Sequence, residues 1–151
     1  MSRYSYFIAG RWRNHQVIRE VAEKIRSTGS SVYCFLENEY DGDGVKFDND
    51  SNADAETMMR SIETLKNWQE NPTFNKIFET DMSALKDSDK LVLIFPAGLS
   101  AHMELGAAYG LGKKCYGIGE PEKPETLYKM FNKIYPNVDA FLQSEVGALE
   151  A

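Results

Sequence analysis

Lys90-Leu-Val-Leu-Ile-Phe95, followed after Pro96-Ala-Gly-Leu99 by Ser100-Ala-His-Met-Glu-Leu-Gly106, decides the fold. The first run is short, apolar and rich in branched side chains, as a strand buried on both faces is. The second opens a small-residue helix that ends near Gly110 and Gly112. A strand that runs straight into a helix is half of a βαβ unit. It puts Glu104 in the first turn of that helix, just past the carboxyl end of a strand, where open α/β sheets bind ligands. The positive helix N-terminus is expected to hold the carboxyl ionised, which a covalent nucleophile requires.

The same alternation extends in both directions. Tyr4-Ser-Tyr-Phe-Ile8 is β-rich and ends at Ala9-Gly10. Asn14 can cap a helix whose stripe is Val17, Val21 and Ile25, with Ile18 and Ala22 beside it, and Gly29 can close it. Ser31 to Leu36 is a second strand and Lys114 to Ile118 a fourth. Between the second and third strands come a long acidic loop, Glu37 to Asp54, and two helices broken at Pro72. The first runs from Ala53 to Glu70 with Met58, Ile62, Leu65 and Trp68 as its apolar spacing. The second runs from Phe74 to Leu85 with Phe74, Ile77, Phe78 and Leu85 inward. After the fourth strand, Glu125 to Ile134 and Val138 to Leu142 read as helices separated by Pro136. The pattern predicts one α/β domain over residues 1–142, a parallel sheet with right-handed crossovers, and a frayed tail over 143–151. Four strands are legible and a fifth is not.

Composition narrows the function. The 151 residues carry a formal net charge of -6, which argues against binding a nucleic-acid polymer but leaves small nucleotides open. Cys34 and Cys115 lie in apolar segments and read as reduced core thiols of a cytoplasmic protein. No Cys/His cluster has zinc-ligand spacing, no apolar run is long enough to span a membrane, and Met1-Ser-Arg-Tyr-Ser5 is not a signal peptide. Asp41, Asp43, Asp48 and Asp50 suggest a calcium loop. Aligned on Asp48, however, the glycine position holds Ala53 and the bidentate glutamate position holds Met59. The glycines at 110, 112, 117 and 119 follow a helix, so they lack the context of a dinucleotide fingerprint.

Tyr6-Phe-Ile-Ala-Gly10, Phe78-Glu-Thr-Asp81, Ser88-Asp89 and Met103-Glu-Leu-Gly106, in this order, resemble the nucleoside 2-deoxyribosyltransferase family, which includes deoxynucleoside 5′-monophosphate N-glycosidases. The resemblance implies a flavodoxin-like, Rossmann-like sheet of four to five strands flanked by helices. It also implies cleavage of the N-glycosidic bond of 2′-deoxynucleosides, or their 5′-monophosphates, through a deoxyribosyl ester. The matching nucleophile is Glu104, the base-contacting aspartate is Asp81, and Tyr6 would orient Glu104. No metal or cofactor is implied, the partner is a nucleoside or nucleotide, and a homodimer or larger assembly is expected. One position departs: the family's sugar-binding aspartate, six residues before the nucleophile, is Gly98 here.

Each candidate also has a purely structural role open to it. Glu104 can serve the helix dipole, and Asp81 can be a solvated acid at an unfavourable helix end. Ser100 is most simply an N-cap, one turn before Glu104 on the same face, and can also line an anion site. His102 points away from Glu104, and Asp89 reads as a turn residue. Gly10, Arg11, Trp12 and Arg13 form the first strand-to-helix loop, facing the same crevice. Either arginine can grip phosphate, while Trp12 can stack on a base or pack. Tyr33, Phe35, Trp68, Phe74, Phe78 and Phe95 read mostly as core, with one or two of them open to lining a base pocket. The resulting expectation is N-deoxyribosyl transfer or hydrolysis. Its rivals are a nucleotide sensor without turnover, favoured by Gly98, and a glycohydrolase of a larger nucleotide.

Overall fold

The structure, a computed structural model, describes residues 2–38, 59–60 and 62–146. The acidic residues proposed and rejected for calcium, and most of the long loop and the helix start after it, lie outside these. Five strands form the sheet: β1 (Tyr4–Ala9), β2 (Val32–Cys34), β3 (Ser88–Ile94), β4 (Lys114–Ile118) and β5 (Lys133–Tyr135). Their order is β2-β1-β3-β4-β5 and every pairing is parallel. This is the flavodoxin-like order. Four described helices flank the sheet: α1 (His15–Arg26), α2 (Pro72–Lys86), α3 (Leu99–Gly110) and the single turn α4 (Val138–Phe141).

Period-two alternation along parallel strands splits the core into two layers. Tyr6 and Ile8, Val32 and Cys34, Val92 and Ile94, Tyr116 and Ile118, and Tyr135 point to one face. There they meet Ile18, Val21, Ala22 and Ile25 of α1 and Val138 and Phe141 of α4. Phe7 and Ala9, Tyr33, Leu91 and Leu93, and Cys115 point to the other, under Ala84 and Leu85 of α2 and Ala101, Leu105 and Ala108 of α3. Both cysteines are buried and free, as the sequence implied. Each fully buried aliphatic side chain contributes roughly 1.5–3 kcal/mol.

Several local expectations need correction. The stretch read as a helix from Glu125 to Ile134 is a 3-10 turn over Thr126–Met130 followed by β5. The helix expected to run as far as Glu70 ends by residue 63. Asn67 is left-handed (φ 56) and Trp68–Glu70 is a separate 3-10 turn. Pro72 therefore breaks no helix but stands at the first position of α2, where Asn71 accepts hydrogen bonds from the Thr73 and Phe74 amides. Phe78 and Trp68, expected inward, are 65% and 54% exposed. Asp89 lies within β3. The tail expected to fray from Gln143 is packed as far as Val146, which is buried. Its Glu145 carboxylate accepts a short hydrogen bond from the Tyr135 hydroxyl; burial raises the pKa of Tyr6 and Tyr116, and the Glu145 charge adds to the rise.

Candidate active site

α3 starts two residues earlier than the capping pattern suggests. Leu99 is its first residue and Gly98 its N-cap, with no side-chain cap, so Ser100 is an exposed residue of the first turn rather than the cap. The first turn holds no acid, and Glu104 falls in the second. At that depth the helix terminus no longer acts on it, because the macrodipole effect fades within one turn. The carboxyl is therefore not held ionised. Burial, reinforced by the charge of Asp81, raises its pKa to about 8.

Asp81 comes from α2, more than a turn before that helix ends, so the expected clash with the helix dipole does not arise. Its pKa is also raised, by burial, and a hydrogen bond from Tyr33 opposes the rise. The Tyr33 hydroxyl donates to Asp81 Oδ1 at 2.7 Å, and Asn38 Nδ2 donates to the Tyr33 oxygen at 2.5 Å. Tyr33 projects from β2 towards the layer of α2 and α3, its ring stacked on Phe7 with centroids 5.1 Å apart. Two carboxyls with depleted solvent, one of them gripped by a phenol, can share a proton and release it to a bound molecule. Neither Tyr33 nor Asn38 was singled out as functional from the sequence. A tyrosine in an apolar strand reads as core until its distant hydroxyl partner is known.

Tyr6 does not join this group. It sits one residue out of phase with Phe7, on the α1 and α4 face, edge-on to Phe141 at 5.7 Å between centroids. The sheet separates it from Glu104, so it cannot orient that carboxyl. Trp12 is likewise a packing residue: it is buried in the same layer and tilted against Phe35. This corrects the base-stacking role.

The first loop does approach the start of α3. A Cβ placed on Gly98 would lie 3.6 Å from the Arg11 Cβ, so the two strand-to-helix loops touch there. Arg13 instead reaches Glu63, with Nη2 to Oε1 at 2.9 Å. A Cβ on Gly10 would meet Ile18 Cδ1 at 2.6 Å, so the Ile18 side chain would have to shift to admit one. His102 points away from Glu104, as expected. Its Nδ1 bonds the Gly98 carbonyl at 2.7 Å, its Nε2 meets the Tyr128 hydroxyl at 2.9 Å, and its ring stacks on Tyr128. With Nδ1–H facing a carbonyl, the Tyr128 hydroxyl donates to Nε2. The side chain thus pins the carbonyl at the mouth of α3.

Among the described residues no group of three or more His, Cys, Asp or Glu could hold a metal ion, and no helix is long and apolar enough to cross a membrane.

No protein-family model matches the chain, and no curated protein matches its sequence. Solved structures do match it. One is a 2-deoxyribosyltransferase from the psychrotolerant bacterium Bacillus psychrosaccharolyticus, with a TM-score of 0.61 and 16% identity over 95% of this chain and 94% of that one. Another is the CMP N-glycosidase BcmB of Clostridium botulinum, with a TM-score of 0.54 and 17% identity over 97% and 98%. At these identities the likeness is one of fold, carried over nearly the full length of each chain.

Proposed function

We propose that the protein cleaves or transfers at the N-glycosidic bond of a 2′-deoxynucleoside or its 5′-monophosphate, with Glu104 as nucleophile and Asp81 as the group that handles the base. The carrying observation is the pairing of two partly buried carboxyls from neighbouring helices, one raised to about 8 in part by the other. The similar fold of a deoxyribosyltransferase and of a CMP N-glycosidase supports the same reading.

At neutral pH Glu104, its pKa raised to about 8, carries a proton. As the base leaves, the C1′–N bond breaks with its electron pair passing to the base, and a ring nitrogen of the base takes the proton through Asp81. Glu104, freed of that proton, forms the C1′–O ester. Water or a second base then attacks C1′, the ester bond breaks, and the proton lost by the incoming group returns to the pair. The two displacements parallel retaining glycoside hydrolysis. The proton transfer accounts for ~10²–10⁴-fold of the rate. No metal or cofactor enters these steps.

Arg11 is the arginine available to a 5′-phosphate. It touches the turn before α3, beside Ser100, whereas Arg13 is engaged by Glu63. Gly98 leaves without a carboxylate the position from which transferases of the resembled family hold sugar hydroxyls. The same reading carries a homodimer or larger assembly, which sedimentation would measure.

The test is free-base release from a panel of 2′-deoxynucleosides and their 5′-monophosphates, with and without a second base. Mass spectrometry of quenched protein would look for a deoxyribosyl adduct on Glu104. Release that Glu104→Ala abolishes, together with the adduct, is the expected result. Full cleavage by Glu104→Ala, or no release from any member of the panel, overturns the reading.

A further inference from the structure

Asp81 and Glu104 are chemically alike, yet their surroundings differ in one respect. Asp81 receives a hydrogen bond from a buried phenol, and Glu104 has none from a side chain among the described residues. A phenol at neutral pH can only donate to a carboxylate, and it favours the ionised form. Asn38 donates to the same phenol oxygen, which leaves the hydroxyl proton directed at Asp81 Oδ1. The relay Asn38 to Tyr33 to Asp81 therefore has a polarity.

We propose that Tyr33 is a positioning residue that assigns the shared proton, keeping Asp81 as the ionised member of the pair and Glu104 as the protonated one, with Asn38 orienting its hydroxyl. The inference rests on the reading of these two carboxyls as the reacting pair.

The groups that bear on the pair are few. Glu104 comes from α3, Asp81 from α2, Tyr33 from β2, and Tyr4 of β1 lies edge-on to Tyr33 with centroids 5.5 Å apart. No cationic side chain among the described residues shifts either carboxyl. Among the described residues, the Tyr33 hydroxyl is the side-chain donor that distinguishes the two carboxyls. It also serves the reaction. A carboxyl whose ionised form is stabilised is the stronger acid when it carries the proton in passing, so Asp81 surrenders it to the departing base instead of retaining it. The Tyr33 bond is strongest at the instant Asp81 regains its charge.

The experiment is a carboxyl-carbon NMR titration of the whole protein labelled at Asp and Glu. Asp81→Asn and Glu104→Gln assign the two signals, and the titration is repeated on Tyr33→Phe and Asn38→Ala. In the unaltered protein the upper titration step should appear on the Glu104 carboxyl. In Tyr33→Phe the greater part of that step should move to Asp81, and the lower step should rise by about one pH unit. Asn38→Ala should move both in the same direction by less. Base release should follow, with kcat down roughly tenfold and KM within twofold, as expected of a residue that acts through Asp81. A Tyr33→Phe protein whose upper step stays on Glu104 overturns the proposal, and so does an upper step on Asp81 in the unaltered protein. The titration needs no substrate. A moved step without base release from any substrate would uphold the role of Tyr33 and reject the proposed reaction.

Discussion

The charge of Asp81, carried on α2, acts on the carboxyl of Glu104 on α3 and helps keep it protonated up to about pH 8. Two helices that meet on one face of the sheet thus bring a protonated carboxyl under the influence of a second acid. Most of what can be tested about this protein follows from that proton.

The pH dependence of base release should have an alkaline limb. Above about pH 8 the second carboxyl ionises and the pair has no proton left for the departing base. kcat/KM should fall tenfold per pH unit beyond that point. A profile flat to pH 10 would mean that the base leaves unprotonated or takes its proton elsewhere.

Stability should respond to pH in the opposite sense from an ordinary salt-bridged acid. The folded protein keeps the Glu104 proton to about pH 8, whereas the unfolded chain loses it near the ordinary value of 4.5. The contribution is complete below the lower value and is lost as pH rises towards the upper one. Glu104→Gln removes this dependence. It should add little stability at pH 5 and on the order of 1–3 kcal/mol at pH 9, read as a melting temperature raised clearly only at the higher pH. Equal effects at both values would show that Glu104 is more hydrated than its burial implies.

The two arginines of the first loop should separate. Arg11→Ala should raise KM for a 5′-monophosphate roughly tenfold or more and leave the unphosphorylated nucleoside unaffected, as loss of a charge-assisted phosphate contact does. Arg13→Ala forfeits a half-exposed ion pair to Glu63 and should change neither by more than about twofold. Steady-state kinetics on both substrates would distinguish them, and equal losses for the two variants would contradict the assignment.

Gly98→Asp is a substitution the backbone accepts. Gly98 has ordinary extended angles, φ -98 and ψ -166, and a Cβ there meets only Arg11 at van der Waals distance. An aspartate also caps α3, adding roughly a few tenths of a kcal/mol over glycine. The new carboxylate beside Arg11 should shift preference from the monophosphate towards the nucleoside. A preference unchanged in this variant would place the sugar elsewhere.

Tyr6→Phe should leave kcat and KM within twofold, because the sheet stands between Tyr6 and Glu104. A large loss of kcat would require the two to meet.

The strands that build the site were legible because β1, β3 and β4 are apolar runs with turns at their ends. β5 was not: Lys133-Ile-Tyr135 is three residues long, sits against Pro136, and follows a stretch whose spacing suits a helix. Glu104 and Asp81 could be found from their motifs, but their protonation could not. The cap expected at Ser100 lies at Gly98, and those two residues move Glu104 from the field of the helix end into a desolvated second turn. Tyr6 was put on the wrong side for a related reason. A motif names a residue without fixing the parity of its strand, and one step along β1 exchanges the two faces. Tyr33 was passed over because what distinguishes it is a partner 48 positions away.

The edge-on contact of Tyr6 with Phe141 has a kinetic meaning. β1 lies inside the sheet, between β2 and β3, yet one of its faces is finished only when α4 and the turn after it arrive from the far end of the described chain. That layer cannot be sealed by local contacts, so folding should be paced by long-range loop closure rather than by helix formation. Lesions between residues 138 and 146 should then act chiefly by hastening unfolding, at a distance of most of the sequence from the strand they expose.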